Sequence, residues 1–204
     1  MGHQPLKPRE LNVGGLPTVV FGHRSLIWWG TIGLMAIEGT MFAIVWISYF
    51  YLRTRTNDWP PGLMPPAILY GAINTVVFII SIVPNQWIKK VAERGELQKV
   101  RIGLLIIVAT GIVNIVLRAY EFTSLNCQWD ANAYASVVWT LLGLHTIHLL
   151  TDWFDTCVLA VLFFTGPVDG KRFMDASENS DYWYFVVLSW IPIWFVIYFV
   201  PRLM

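Results

Sequence analysis

Leu26 to Leu52 reads LIWWGTIGLMAIEGTMFAIVWISYFYL, an unbroken apolar run with one carboxylate, Glu38, near its centre and no Lys or Arg. A bilayer core needs roughly 20 helical residues to cross it. This stretch is therefore read as a membrane-spanning helix, and Glu38 falls at its mid-depth. A charged side chain there costs roughly 2.5–3.5 kcal/mol on insertion scales, so such residues face the bundle interior or water and carry partners. Glu38 is expected to sit against the helix that contains His145, meeting a His or another hydrogen-bond donor.

Four further stretches repeat the pattern, giving spans at about 26–52, 67–88, 102–122, 133–164 and 182–200. The whole chain, 204 residues, is 56% hydrophobic and 13% charged, against roughly a quarter charged in a soluble domain. Hydrocarbon offers no partner to an unpaired backbone amide, and the alternation of a barrel strand is missing, so helices are the remaining solution. The expectation is an all-α membrane protein, residues 1–204 forming a single integral domain of five transmembrane helices.

Orientation follows from the positive residues. The N-terminal tail and the second and fourth connections hold Lys7, Arg9, Arg24, Lys89, Lys90, Arg94, Lys99, Arg101, Lys171 and Arg172. The other side holds Arg53, Arg55, Arg118 and Arg202. Ten against four puts the N-terminus in the cytoplasm and the C-terminus outside. The segment before Leu26 is polar and proline-bearing, unlike a cleavable signal. Cys127 and Cys157 form no short-spaced pair, so neither a disulfide framework nor a cysteine metal motif is read.

The fourth span carries the densest polar pattern. His145, His148, Asp152 and Asp155 are spaced by three, four and three residues, which aligns them on one helical face. Such a stripe is either a hydrogen-bonded seam between helices or, with Glu38 added, an intramembrane metal site, since His and Asp ligate Zn or Fe. His3 and His23 lie in the N-terminal tail and offer nothing at membrane depth. On the third span Thr110, Asn114, Arg118 and Glu121 form a second stripe, with Arg118 and Glu121 read as an interfacial ion pair whose Arg snorkels. Glycines at 30, 33, 39, 71, 103 and 111 suit close helix packing.

Aromatic residues at Trp28 and Trp29, Tyr49 to Tyr51, Trp87, Trp129 and Tyr182 to Tyr184 read as interfacial belts. Trp183, Trp190 and Trp194 follow helical spacing, which fits a packed face as well as a lipid-facing one. A phosphate-cradling glycine loop, a Ser/His/Asp order and a nucleophile elbow are missing. Paired broken helices of a transporter are not found either.

Several stretches, taken in order, resemble subunit III of the haem–copper oxidases, the cytochrome c oxidase type, in its short five-helix form. They are Gly33-Leu34-Met35-Ala36-Ile37-Glu38-Gly39-Thr40-Met41-Phe42-Ala43, Tyr49-Phe50-Tyr51-Leu52-Arg53 followed by Trp59-Pro60-Pro61, Ala119-Tyr120-Glu121-Phe122, Gly143-Leu144-His145-Thr146-Ile147-His148, and Tyr182-Trp183-Tyr184-Phe185-Val186. The chain departs from that family at Tyr184, where His is usual, at Val187, where an acid is usual, and at Arg118, often Gln. Asp152 and Asp155 replace small or apolar residues.

The resemblance implies a non-catalytic accessory subunit of a respiratory terminal oxidase that reduces oxygen to water and pumps protons. It would sit in a bacterial-type inner (cell) membrane beside catalytic subunit I, subunit II and other subunits. It would hold structural phospholipid and bind no cofactor or metal of its own, haem and copper residing in the partners. No nucleic-acid partner is expected. The alternatives are an accessory membrane subunit of a nitric oxide reductase and an intramembrane His/Asp metalloenzyme.

Overall fold

The computed structural model describes residues 19–203; His3, Lys7 and Arg9 lie outside them. A short 3-10 turn, Gly22–Arg24, leads into five long helices: α1 Leu26–Arg53, α2 Ile68–Glu93, α3 Leu97–Thr123, α4 Ala133–Thr165 and α5 Gly170–Tyr198. A four-residue helix, α6 Val200–Leu203, follows, and no strand occurs among the described residues. Each of the five is long and apolar enough to cross a membrane.

Helix starts follow local chemistry. Ser25 accepts from the Ile27 amide at 3.2 Å, Asn132 from Ala135 at 2.9 Å and Asp169 from Arg172 at 3.2 Å, each satisfying an amide that has no partner inside its helix. The turn between α2 and α3 closes at Gly95, whose φ of +69° lies in the left-handed region that favours glycine.

Three helices outrun their hydropathy. The fifth was expected from 182, but α5 starts at Gly170 and the connection before it is four residues long. Its first turns are polar and yet packed: Ala176, Ser177, Glu178 and Ser180 are all buried. α2 continues to Glu93 and α3 begins at Leu97, so both carry basic residues on helical turns, three of them with partners: Lys99 pairs with Glu96, and the others reach across helices. Lys89 pairs with Asp181 of α5, and Arg101 donates to the Phe163 carbonyl at 2.8 Å.

Packing runs in a ring, α2 on α3, α3 on α4, α4 on α5 and α5 back on α2. α1 lies outside the ring in the groove between α4 and α5. It buries only Phe42 and Tyr49, whereas α5 contributes Trp183, Val186, Trp190, Ile193 and Ile197 to the core. Trp183 and Trp190 thus make a packed protein face. The opposite faces are apolar and open: Ile37, Ile47, Ile80 and Val83 are between 62% and 72% exposed. On a soluble protein so much exposed apolar surface would be a liability; facing lipid it costs nothing.

The glycines divide by packing. A Cβ on Gly71 would lie 2.6 Å from the Tyr198 ring, one on Gly103 2.3 Å from Ile88, and one on Gly111 2.3 Å from Trp153. These three do permit close approach. A Cβ on Gly30 or Gly33 would meet nothing within 4 Å among the described residues, so close packing there does not call for glycine.

Candidate functional site

The ionisable residues at depth resolve into three connected groups rather than one stripe. The first is built on α1. Glu38 points toward α4 and α5, where the Tyr182 hydroxyl donates to Oε2 at 2.8 Å and His148 Nε2 stands 3.5 Å from Oε1. His148 Nδ1 donates to the Leu144 carbonyl at 2.6 Å, so only Nε2 faces the acid. Imidazolium against carboxylate and imidazole against carboxylic acid both leave this pair with zero net charge. Either state is tolerable in an apolar bundle, where a lone ion is not. The Glu38 side chain keeps 16% of its surface open to the neighbouring cleft.

The second group fills the core between α2, α3, α4 and α5. Arg118 Nη2 donates to His145 Nδ1 at 3.0 Å, and its guanidinium lies 4.0 Å over the Trp190 ring. Arginine has no acceptor, so Nδ1 of His145 must carry the lone pair and Nε2 the proton, which it donates to the Val186 carbonyl at 2.9 Å. Glu121 Oε1 accepts from Tyr198 at 2.7 Å and Oε2 from Asn74 at 3.2 Å. Arg118 Nη1 is 3.1 Å from Glu121 Oε2 but outside hydrogen-bonding angles, so that attraction is coulombic.

Arg118 and Glu121 are 1% and 0% exposed. The ion pair expected from the sequence is present, but it does not snorkel. The reason is that α2 and α5 bring Asn74, Tyr198 and Trp190 over it, supplying the donors and the ring face that water would otherwise provide.

The third group joins α4 to α5. Asp152 Oδ1 accepts from Asn179 Nδ2 at 3.2 Å, and the Thr156 hydroxyl has two acceptors for its one proton, the Asp152 carbonyl at 2.9 Å and Asn179 Oδ1 at 3.0 Å. Asp155, one turn on, is exposed. Glu38, Asp152, Asp155, Glu178, Asn179 and Tyr182 all line one cleft of about 580 Å3 between α1, α4 and α5.

So the four residues of the α4 stripe part company. His145 turns into the core with both ring nitrogens engaged, His148 meets Glu38, Asp152 meets Asn179, and Asp155 faces outward. Among the described residues no three His, Cys, Asp or Glu side chains are grouped to hold a metal ion.

Several partners were not singled out from sequence. Asn179, Thr156 and Glu178 lie in stretches read as loop or plain helix, and Tyr182 reads as a belt aromatic. Asn74, an amide in an apolar run that also holds Asn85 and Gln86, is a detectable signal. Tyr49 is likewise no belt residue: fully buried, it donates to the Val196 carbonyl at 3.2 Å and accepts from Trp59 at 2.9 Å.

No family model matches the chain. It is 30% identical over 183 residues to a probable cytochrome c oxidase subunit 3 of Mycobacterium bovis, covering 84% of this chain and 86% of that protein. It is 27% identical over 177 residues to the cytochrome c oxidase subunit 3 of Corynebacterium diphtheriae, with the same shares covered. Against that of Thermostichus vulcanus the identity is 22% over 176 residues, covering 85% and 87%. Likeness at that level along nearly the full length of both proteins means that this chain belongs to the cytochrome c oxidase subunit III family.

Proposed function

We propose that this chain is a non-catalytic third subunit of a haem–copper terminal oxidase, held in a bacterial cell membrane with its N-terminus in the cytoplasm. It packs beside the catalytic subunit and subunit II, holds phospholipid in the cleft between α1, α4 and α5, and keeps the complex intact while the partners reduce oxygen and move protons. Haem and copper belong to those partners.

One observation carries the reading. The ionisable groups inside the bundle are mostly consumed by one another: Arg118 by Glu121 and His145, Glu38 by His148 and Tyr182. Groups so matched hold helices together. The intramembrane metalloenzyme draws no support from this arrangement, because His145 has no free ring nitrogen.

The test is Glu38→Ala in the assembled oxidase. Initial oxygen turnover is expected to stay within about twofold, while the working lifetime of the complex shortens and this chain dissociates more readily in detergent. A complex whose turnover and lifetime were both unchanged would overturn the proposal, as would oxygen reduction by this chain alone.

A further inference from the structure

Asp155 is the acid of the α4 stripe that the fold leaves outside. Asp152 turns inward to Asn179, whereas Asp155 is exposed and pairs with no Lys, Arg or His among the described residues. Its neighbours on the open side of α4 are apolar in both directions. Ile147, Leu150 and Phe154 precede it, Val158, Val161 and Phe164 follow, and all are exposed, Phe154 at 65% and Val161 at 58%. No charged residue separates Asp155 from the helix end at Thr165.

Its depth follows from helix length. α4, 33 residues long, spans about 50 Å against a hydrocarbon core of about 30 Å, so about 10 Å projects at each end when it is centred. Residues 156–165 cover about 15 Å, which sets Asp155 about 5 Å inside the core. A carboxylate there, on a face that otherwise meets lipid, calls for a partner.

The chain itself does not supply one. Arg172 is the basic residue that lines the cleft beside Asp155, but it stands in the first turn of α5, at the end of the bundle where α4 finishes. Side chains lean toward the N-terminus of their own helix, so Arg172 leans out of the bilayer and Asp155 leans into it. A second copy offers no better match. Lys89 and Arg101 lie one turn from the ends of α2 and α3, Arg118 is sealed in the core, and the other described Lys and Arg sit at helix ends or in connections. The charge of the surface is one-sided: Glu38, Asp152, Asp155, Asp175 and Glu178 surround one opening against Arg172 alone, which favours an incoming cation.

We propose that Asp155 receives a Lys or Arg from a membrane-spanning helix of another subunit, which docks by its apolar side on Phe154, Val158 and Val161. The proposal rests on the reading of this chain as one subunit of an oxidase complex. Each charge is unwelcome in lipid by itself, and docking cancels the two. The contact lies on the outward face of α4, at the rim of the cleft rather than inside it.

The experiment uses the assembled oxidase in its native membrane, with Phe154 replaced by p-benzoylphenylalanine, which keeps an aromatic ring beside Asp155. After irradiation, mass spectrometry is expected to find α4 joined to a membrane-spanning peptide of a different subunit, with Lys or Arg within about one helical turn of the junction. Cross-links confined to lipid, to α1 of this chain or to a segment without a basic residue would overturn the proposal. Asp155→Lys is expected to lower retention of that subunit in detergent by about tenfold or more, and exchanging the partner's cation for Asp in the same complex to restore it. Retention untouched by Asp155→Lys, or a loss that the exchanged pair does not repair, would overturn it too. If Asp155→Lys prevents assembly, the exchanged pair must recover it, and failure to do so counts against the contact. An intact complex with lipid-only cross-links sinks this contact alone; a chain that copurifies with no other subunit sinks the oxidase reading with it.

Discussion

Arg118 of α3 fixes the tautomer of His145 on α4: its Nη2 donates to Nδ1 at 3.0 Å, which leaves Nε2–H to bond the Val186 carbonyl of α5. One guanidinium thereby ties three helices through a neutral ring. The same guanidinium neutralises Glu121, which in turn orders Tyr198 and Asn74. The network is therefore a single charge-neutral unit, and its members should not behave independently under substitution.

Arg118→Met is expected to destabilise the assembled protein by about 3–5 kcal/mol, because it strands the Glu121 carboxylate in a sealed site. Adding Glu121→Gln should recover much of that loss, since the amide keeps an acceptor for Tyr198 and carries no charge. Thermal denaturation of the four forms in detergent, set out as a double-mutant cycle, measures the coupling. Additive losses would mean that the pair contributes no more than its separate members.

Gly71 stands where the Tyr198 ring crosses α2. Gly71→Ala puts a methyl 2.6 Å from that ring, so the ring must shift and its hydroxyl leave Glu121 Oε1. Overpacking of this kind costs about 1–3 kcal/mol. Gly30→Ala meets no described residue within 4 Å and should be neutral or slightly stabilising. The pair of variants, compared by denaturation midpoint, separates packing glycines from incidental ones.

What the sequence made legible follows from how each signal arises. Five spans show because hydrocarbon demands about 20 apolar residues in a row, and Glu38 stands out because nothing near it in the chain is charged. Arg118 and Glu121 show as partners because i,i+3 spacing is local. Their burial does not show, since it depends on Tyr198 and Asn74, 77 and 47 residues from Glu121 in the chain. Hydropathy also misplaced the start of α5, because Ser177, Glu178 and Ser180 are polar residues packed inside it. The α4 stripe read as one site because a helical wheel ignores neighbours; α1, α3 and α5 each claim a different member.

Tyr182→Phe removes the one hydroxyl that donates to Glu38 Oε2. The expected cost is about 1–3 kcal/mol, the loss from leaving a mostly buried acceptor without its donor. Because α1 docks in the groove of α4 and α5, that cost should fall on α1. Hydrogen exchange in nanodiscs is the measurement: amides of residues 26–53 should exchange faster in the variant, while those of α2 and α3 keep their wild-type rates. Uniform acceleration throughout would mean that the bond supports the fold at large rather than the seating of α1.

Cys127 reports both topology and pH. It lies in the connection between α3 and α4, outside the spans, where burial raises its thiol above the usual range, opposed in part by Trp139. A raised value means less thiolate at a given pH, so maleimide alkylation at pH 8 should be slower than that of free cysteine. The rate should climb about tenfold per unit from pH 7 to beyond pH 9, with no plateau at the ordinary thiol value. With the N-terminus in the cytoplasm, this connection faces outward, so a membrane-impermeant maleimide should label Cys127 in intact cells. Cys157, within α4, should stay unlabelled by it. Labelling of Cys127 only after the membrane is opened would reverse the orientation assigned from the Lys and Arg distribution.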